Sequence, residues 1–261
     1  NDGNIAGFML EISPIVGVDD TLHKNLSHFF NDELPENSYL QFLLVANHDV
    51  EDILGYWQKM RNNSDPLLEK ITKRRAQFIR EQAISFGISD GRIARDYRIF
   101  VSFSSKLDTK NNSKSGIVSF RDSLMHKLES LQLAPHICDA SDLIALTRLM
   151  LQMELGGSTN TTYTPHEILS RQIVMPCMLQ GIEEDQINHV TTGLTSRIYH
   201  IKELPQSFSL AETINLLGDS TRSHMGIAAR FIISYCVASS ISKSASSMIT
   251  ARGKKVIEAS E

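Results

Sequence analysis

The sequence has few of the features that mark secreted or membrane-spanning proteins. Cysteine is scarce, and the three residues present, Cys138, Cys177 and Cys236, are odd in number and far apart. That pattern argues against a disulfide framework and against a zinc site built from CxxC pairs, so we expect a reducing compartment. No apolar run reaches the ~18 residues of a membrane-spanning helix, since the nearest one, residues 225–241, contains Arg230 and several serines.

Sequence signatures of catalysis are missing as well. The chain contains no G-x-x-x-x-G-K-[ST] phosphate loop, no G-x-G-x-x-G after a strand, no H-E-x-x-H and no G-x-S-x-G. Its histidines are spread singly, and His136 near Cys138 supplies at most half of a metal site. We therefore expect no catalytic, cofactor-binding or metal-binding residues in this segment.

Positive charge is not in excess overall, but it is concentrated in one predicted helix. A formal net charge of -4 and a pI near 6.2 remove the general electrostatic attraction that nucleic-acid-binding proteins show. Pro66 at a helix start, with Asp65 as its cap, predicts a long helix that runs to Phe86. Its basic residues are Lys70, Lys73, Arg74, Arg75 and Arg80. Either they form a solvated face, or they contact an acidic protein, anionic lipid or nucleic acid.

Alternating apolar residues predict a central strand at Asp96–Ser105. Ile99, Val101 and Phe103 share one face of it, and a polar segment and then a helical pattern follow. Strand, helix and strand recur in this order three times along the chain. We therefore predict an α+β fold with mixed sheets, built from repeated β-α-β modules of ferredoxin-like type with extra helices.

A run of Gly, Ser, Thr and Asn at residues 156–165 predicts a linker. It would separate a first α/β subdomain, residues 1–155, from a second one, residues 166–261, which is truncated at its C-terminal helix. Beyond this linker, residues 172–179, 189–192 and 196–204 predict three short strands in a meander.

Three stretches carry a family resemblance. They are Gly7-Phe-Met-Leu-Glu11 with Pro14-Ile15 after it, Asp96-Tyr-Arg-Ile-Phe-Val-Ser-Phe103, and Thr191-Thr-Gly-Leu194 with the Ile198–Pro205 strand after it. In their order and separations they resemble the N-terminal region of the TraC family, the conjugation and pilus-assembly ATPases of F-type type IV secretion systems. The resemblance spans essentially the whole chain.

The resemblance implies a fragment of a longer ATPase, in keeping with a first residue other than Met. In that family a motor domain with a P-loop and a metal-binding acidic strand lies C-terminal to this region, so ATP and magnesium are expected only there. This fragment is then a non-catalytic docking and assembly domain, cytoplasmic and peripheral to the inner membrane. Its expected partners are inner-membrane secretion components, its own motor domain and further copies of itself, with no small-molecule substrate.

The residues themselves leave the contact surface and two other functions open. We place the contact on the basic helix, Lys70 to Arg80, and on the polar Lys106–Ser115 loop. One alternative is a stand-alone hydrolase that uses Asp219, Ser220 and His224 of a polar loop. The other is a nucleic-acid-binding module of a transfer apparatus, which the acidic balance of the chain opposes.

Overall fold

A computed structural model of the chain describes residues 4–15, 24, 34–61, 65–84, 94–107, 113–151, 162–173, 179–183, 185–190, 193–200, 227 and 229–239. The strands are β1 (Ile5–Ile12), β2 (Ser38–Asn47), β3 (Asp96–Lys106), β4 (His136–Ile137), β5 (Leu179–Glu183), β6 (Gln186–His189), β7 (Leu194–Arg197) and β8 (Phe231–Ser239). The helices are α1 (Glu51–Met60), α2 (Pro66–Ile84), α3 (Lys114–Ser130), α4 (Ala140–Leu151) and α5 (Leu169–Ile173).

The α+β class is confirmed, and both sheets are antiparallel. One sheet has the order β4-β1-β3-β2-β8, and the other has the order β5-β6-β7. In the larger sheet β3 lies between β1 and β2, so these two strands run parallel to each other without being neighbours. Two parallel strands separated by a third are typical of ferredoxin-like modules, and this order explains why the expected mixed pairing does not occur among the described strands.

The chain divides into two compact units, each assembled from separate stretches. The first comprises residues 1–45, 97–138 and 232–261, and the second comprises residues 46–96 and 139–231. The sequence-based division at a 156–165 linker stays a prediction, because residues 152–161 lie outside the described part of the chain. The spacing of Leu22, Leu26 and Phe29 predicts a helix between β1 and β2, and these three residues also lie outside the described part of the chain.

The first unit is built on the pairing of β1 with β3. Their register places Phe8 opposite Phe103, and the Phe120 ring of α3 lies 4.5 Å from that of Phe103. α3 begins where Ser113 caps it, since the Ser113 Oγ accepts a hydrogen bond from the Gly116 N–H at 3.1 Å. Leu124 and Leu128 of α3 are buried in the same core.

The central strand is covered on both faces. Val101 and Phe103 face the core that α3 closes, while Phe100 on the other pleat is only 1% exposed. Beside it, the Arg98 guanidinium donates to both carboxylate oxygens of Glu11 on β1, at 2.7 and 2.8 Å. β3 is therefore a structural element whose side chains pack or pair within the first unit.

In the second unit the predicted meander exists, but its strands do not have the predicted bounds. The second and third strands cover residues 186–189 and 194–197 instead of 189–192 and 196–204, and the first was predicted wrongly. Residues 169–173 form the short helix α5, and the meander begins only at Leu179. The Gln172 side chain explains the helix: its amide accepts from the Thr164 N–H and donates to the Thr164 carbonyl, both at 2.9 Å. These bonds close a turn that an extended strand would open.

A close approach of backbone to backbone makes Gly7 a sensitive position. A Cβ atom there would lie 2.1 Å from the carbonyl oxygen of Phe103, and backbone cannot move aside as a flexible side chain can. We expect Gly7→Ala to lower the free energy of unfolding by roughly 2–4 kcal/mol, measured by urea denaturation. Gly55→Ala in α1 is the matched control, because open space surrounds that position and alanine favours helix by about 0.5–1 kcal/mol. Equal unfolding midpoints for the two variants would contradict the β1–β3 register.

Candidate interaction surface

The basic helix forms as predicted at its start. Pro66 opens α2, and Asp65 caps it through a hydrogen bond from the Leu67 N–H to Asp65 Oδ1 at 2.8 Å. A proline costs nothing at this position, because its missing N–H would have no partner inside the helix. The described helix ends at Ile84, so the predicted last turn to Phe86 lies outside the described residues.

Small residues hold α2 against the rest of the second unit. Ala76 and Ala83, 0% and 1% exposed, pack in one cluster with Val50 and Leu54. Alanine has no side chain beyond Cβ, so the helix approaches α1 closely through a narrow contact. The remainder of its circumference stays open to solvent along most of its length.

Two of the five basic residues are held in ion pairs. Arg80 donates to both carboxylate oxygens of Glu51 on α1, at 2.5 and 2.9 Å, and these hydrogen bonds lower the pKa of Glu51. Lys73 lies 2.6 Å from Glu69, one turn earlier on the same helix. Both pairs are largely exposed, where such contacts contribute at most about 1 kcal/mol. Only the Arg80–Glu51 pair joins α2 to another helix, so it orients α2 more than it stabilises it.

The other three basic residues have no ion pair or hydrogen bond within the described part of the chain. Lys70, Arg74 and Arg75 are all exposed on α2. Seven Lys and Arg against five Asp and Glu in residues 51–84 make this stretch net positive, in a chain whose net charge is -4. The positive charge predicted from sequence is therefore present at the surface and is concentrated at these three side chains.

Sequence reasoning missed an exposed apolar component of the same helix. Leu67, Ile71 and Phe78 are 64%, 52% and 44% exposed, on the side opposite to the buried alanines. The signal lay in their spacing of four and seven residues, which places all three on one helix face. On the neighbouring helix α1, Ile53, Tyr56 and Met60 are exposed as well. Contiguous exposed apolar side chains mark interaction sites more often than isolated ones do.

The remaining predicted sites are less well described. Residues 108–112 of the Lys106–Ser115 loop lie outside the described part of the chain, as do Asp219, Ser220 and His224. His136 is exposed on the two-residue strand β4. Across the described ranges no group of three or more His, Cys, Asp or Glu is placed to hold a metal ion, and no helix is long and apolar enough to cross a bilayer.

His48 lies in a second cluster of charged side chains. The guanidinium of Arg230 contacts both ring nitrogens, with Arg230 Nη2 at 2.7 Å from His48 Nε2. Burial and the positive charge of Arg230 lower the pKa of His48 to about 4, with Arg95 acting in the same direction and Asp49 against it. The ring is therefore neutral at pH 7.

This arrangement predicts a pH dependence of stability. Because the folded pKa of His48 lies below the unfolded value of 6.5, the unfolded chain binds more protons between about pH 6.5 and 4. The His48 contribution is complete above pH 6.5 and is lost as the pH falls, by no more than about 2 kcal/mol after allowance for partial exposure. Urea denaturation at several pH values should show a shallower pH dependence for His48→Gln than for the wild type. Parallel curves for the two proteins would contradict the assignment.

Comparison with known proteins gives the chain its family. A profile of the TraC protein family matches residues 1–261, which is the whole chain. No curated protein and no solved structure was found to match. The match covers all three stretches that carry the sequence resemblance, and it corresponds to an N-terminal region. The chain belongs to the TraC family of F-type conjugative transfer, and so to type IV secretion and pilus assembly.

Proposed function

We propose that this region is the docking and assembly domain of its TraC-family chain, joining a motor domain to secretion components at the inner membrane. The observation that carries the proposal is α2, an exposed helix that presents cations without a partner among the described residues beside exposed apolar side chains. In this proposal the region performs no catalysis, and ATP and magnesium belong to the motor domain alone. The chain would then lie in the cytoplasm, peripheral to the membrane.

The charge distribution supports a contact made by this helix. Lys73 and Arg80 already have carboxylate partners, so Lys70, Arg74 and Arg75 are the cations left for another molecule. Exposed charges of one sign accelerate association with a partner of the opposite sign and select against wrong partners. The apolar side chains beside them supply the area whose burial holds a complex together.

The proposal predicts the effect of reversing charge on α2. Changing Lys70, Arg74 and Arg75 to Glu in the full-length chain should reduce its co-purification with inner-membrane secretion components by about tenfold or more, because three attractive contacts become repulsive. The measurement is quantitative pull-down from membranes of cells that carry the transfer apparatus.

A matched control separates the helix from net charge. Lys24, Arg171 and Arg197 are also exposed and lie outside both predicted contact stretches, and changing them to Glu alters the total charge by the same amount. This control variant should co-purify as the wild type does. Unchanged association of the α2 variant, or an equal loss for both variants, would contradict the placement of the contact.

A further inference from the structure

The exposed face of α2 has the spacing of a coiled-coil seam. Leu67, Ile71, Arg74 and Phe78 follow one another at intervals of four, three and four residues, and all four are exposed. With Ile71 taken as position a of a heptad, Leu67 and Arg74 fall at d and Phe78 at the next a. Ala76 falls at f, on the far side, where it is buried. In this fold the seam therefore faces solvent, and the opposite face, which would face solvent in a coiled coil, is buried.

The width of the seam favours a helix as its occupant. Lys70 and Arg75 lie at flanking g and e positions, and Arg74 interrupts the apolar strip, which Leu68, 43% exposed at the preceding e position, widens only over its first turn. Helices that lie on a bilayer carry a broad apolar face, and polybasic lipid sites gather roughly four to eight Lys or Arg residues. α2 has three cations that find no partner in the described ranges, with Glu69 and Glu81 among them. A short apolar strip that Arg74 interrupts, with Lys70 on one side and Arg75 on the other, matches one side of a helix pair better than a lipid-binding face.

The charges on the seam specify the partner further. Basic residues at e and g attract acidic residues at the corresponding positions of the facing helix, and Arg74 in the seam requires a carboxylate opposite it. A second copy of α2 does not meet this need. In a parallel pair Lys70 would face Arg75, and in an antiparallel pair each would face its own equivalent, so like charges meet in both orientations.

We infer that the Leu67–Ile71–Arg74–Phe78 seam of α2 receives an acidic amphipathic helix from a different protein. This deepens the proposed function, on which it rests, by stating the chemistry of the partner. The facing helix carries apolar residues at its own a and d positions, acidic residues along both edges, and one acidic residue within the apolar strip.

The test uses a synthetic helix of that chemistry as the probe. The peptide has Leu at a and d, Glu at e and g, and one Glu in place of a seam Leu; a second peptide has Lys at every one of these Glu positions. Fluorescence anisotropy with the intact 261-residue chain should show binding of the Glu peptide and at least about tenfold weaker binding of the Lys peptide. Vesicles of phosphatidylglycerol and phosphatidylethanolamine are titrated in parallel.

Three variants keep the result interpretable. Ile71→Ser should weaken Glu-peptide binding by about tenfold or more, whereas Val118→Ser, at a helix position of similar exposure on α3, should leave it unchanged. The triple variant Lys70→Glu, Arg74→Glu, Arg75→Glu should reverse the preference and bind the Lys peptide better. A reversal of preference cannot arise from misfolding, because a misfolded chain loses both ligands.

The outcomes separate this inference from the proposed function. No binding of the Glu peptide, or seam-dependent binding to vesicles alone, overturns the inference, and the membrane pull-down then decides the docking role by itself. Peptide binding with reversal in the triple variant supports the inference, even if charge reversal on α2 leaves the pull-down unchanged and the docking role fails.

Discussion

The proposed function depends on which face of α2 packs against α1 and which face is exposed to solvent. Ala76 and Ala83 pack against the α1 cluster, and the Arg80–Glu51 pair fastens the same side. A shift of one residue turns a helix by about 100°, which would move the apolar seam from solvent toward the core. The weak stabilisation expected from each contact is therefore less important than the orientation that they impose together.

The first unit has a well-packed core, and the second unit presents the candidate interaction surface. In the first unit, β1 and β3 pair over eight residues, and aromatic rings from both strands and α3 fill the core. The side chains of β3 take part in this packing. The strand that carries part of the family resemblance therefore belongs to the structural scaffold. In the second unit, α2 buries little beyond two alanines and leaves its larger apolar residues outside. A helix usually buries its large apolar side chains and exposes small or polar ones, and α2 does the reverse.

Much of the fold was predictable, because it depends on local periodicity. The alternation of Ile99, Val101 and Phe103 predicts β3, and Pro66 with Asp65 predicts the start of α2. Antiparallel order was missed, since which strands become neighbours depends on contacts far apart in sequence. The candidate site was predicted only in its charges. Which face of a helix is buried depends on its neighbours, so the sequence alone did not show that Leu67, Ile71 and Phe78 lie outside.

Cysteine scanning along α2 tests whether the seam faces solvent and is covered by a partner. Single cysteines at residues 66–84, introduced after Cys138, Cys177 and Cys236 are changed to serine, are labelled with a maleimide before and after assembly into the secretion complex. We expect maleimide to label cysteines quickly at the seam positions and slowly at Ala76 and Ala83 in the isolated region. On assembly, the seam positions alone should become protected, with a period of three to four residues. Slow labelling of the seam in the isolated region, or protection without that period, would contradict this expectation.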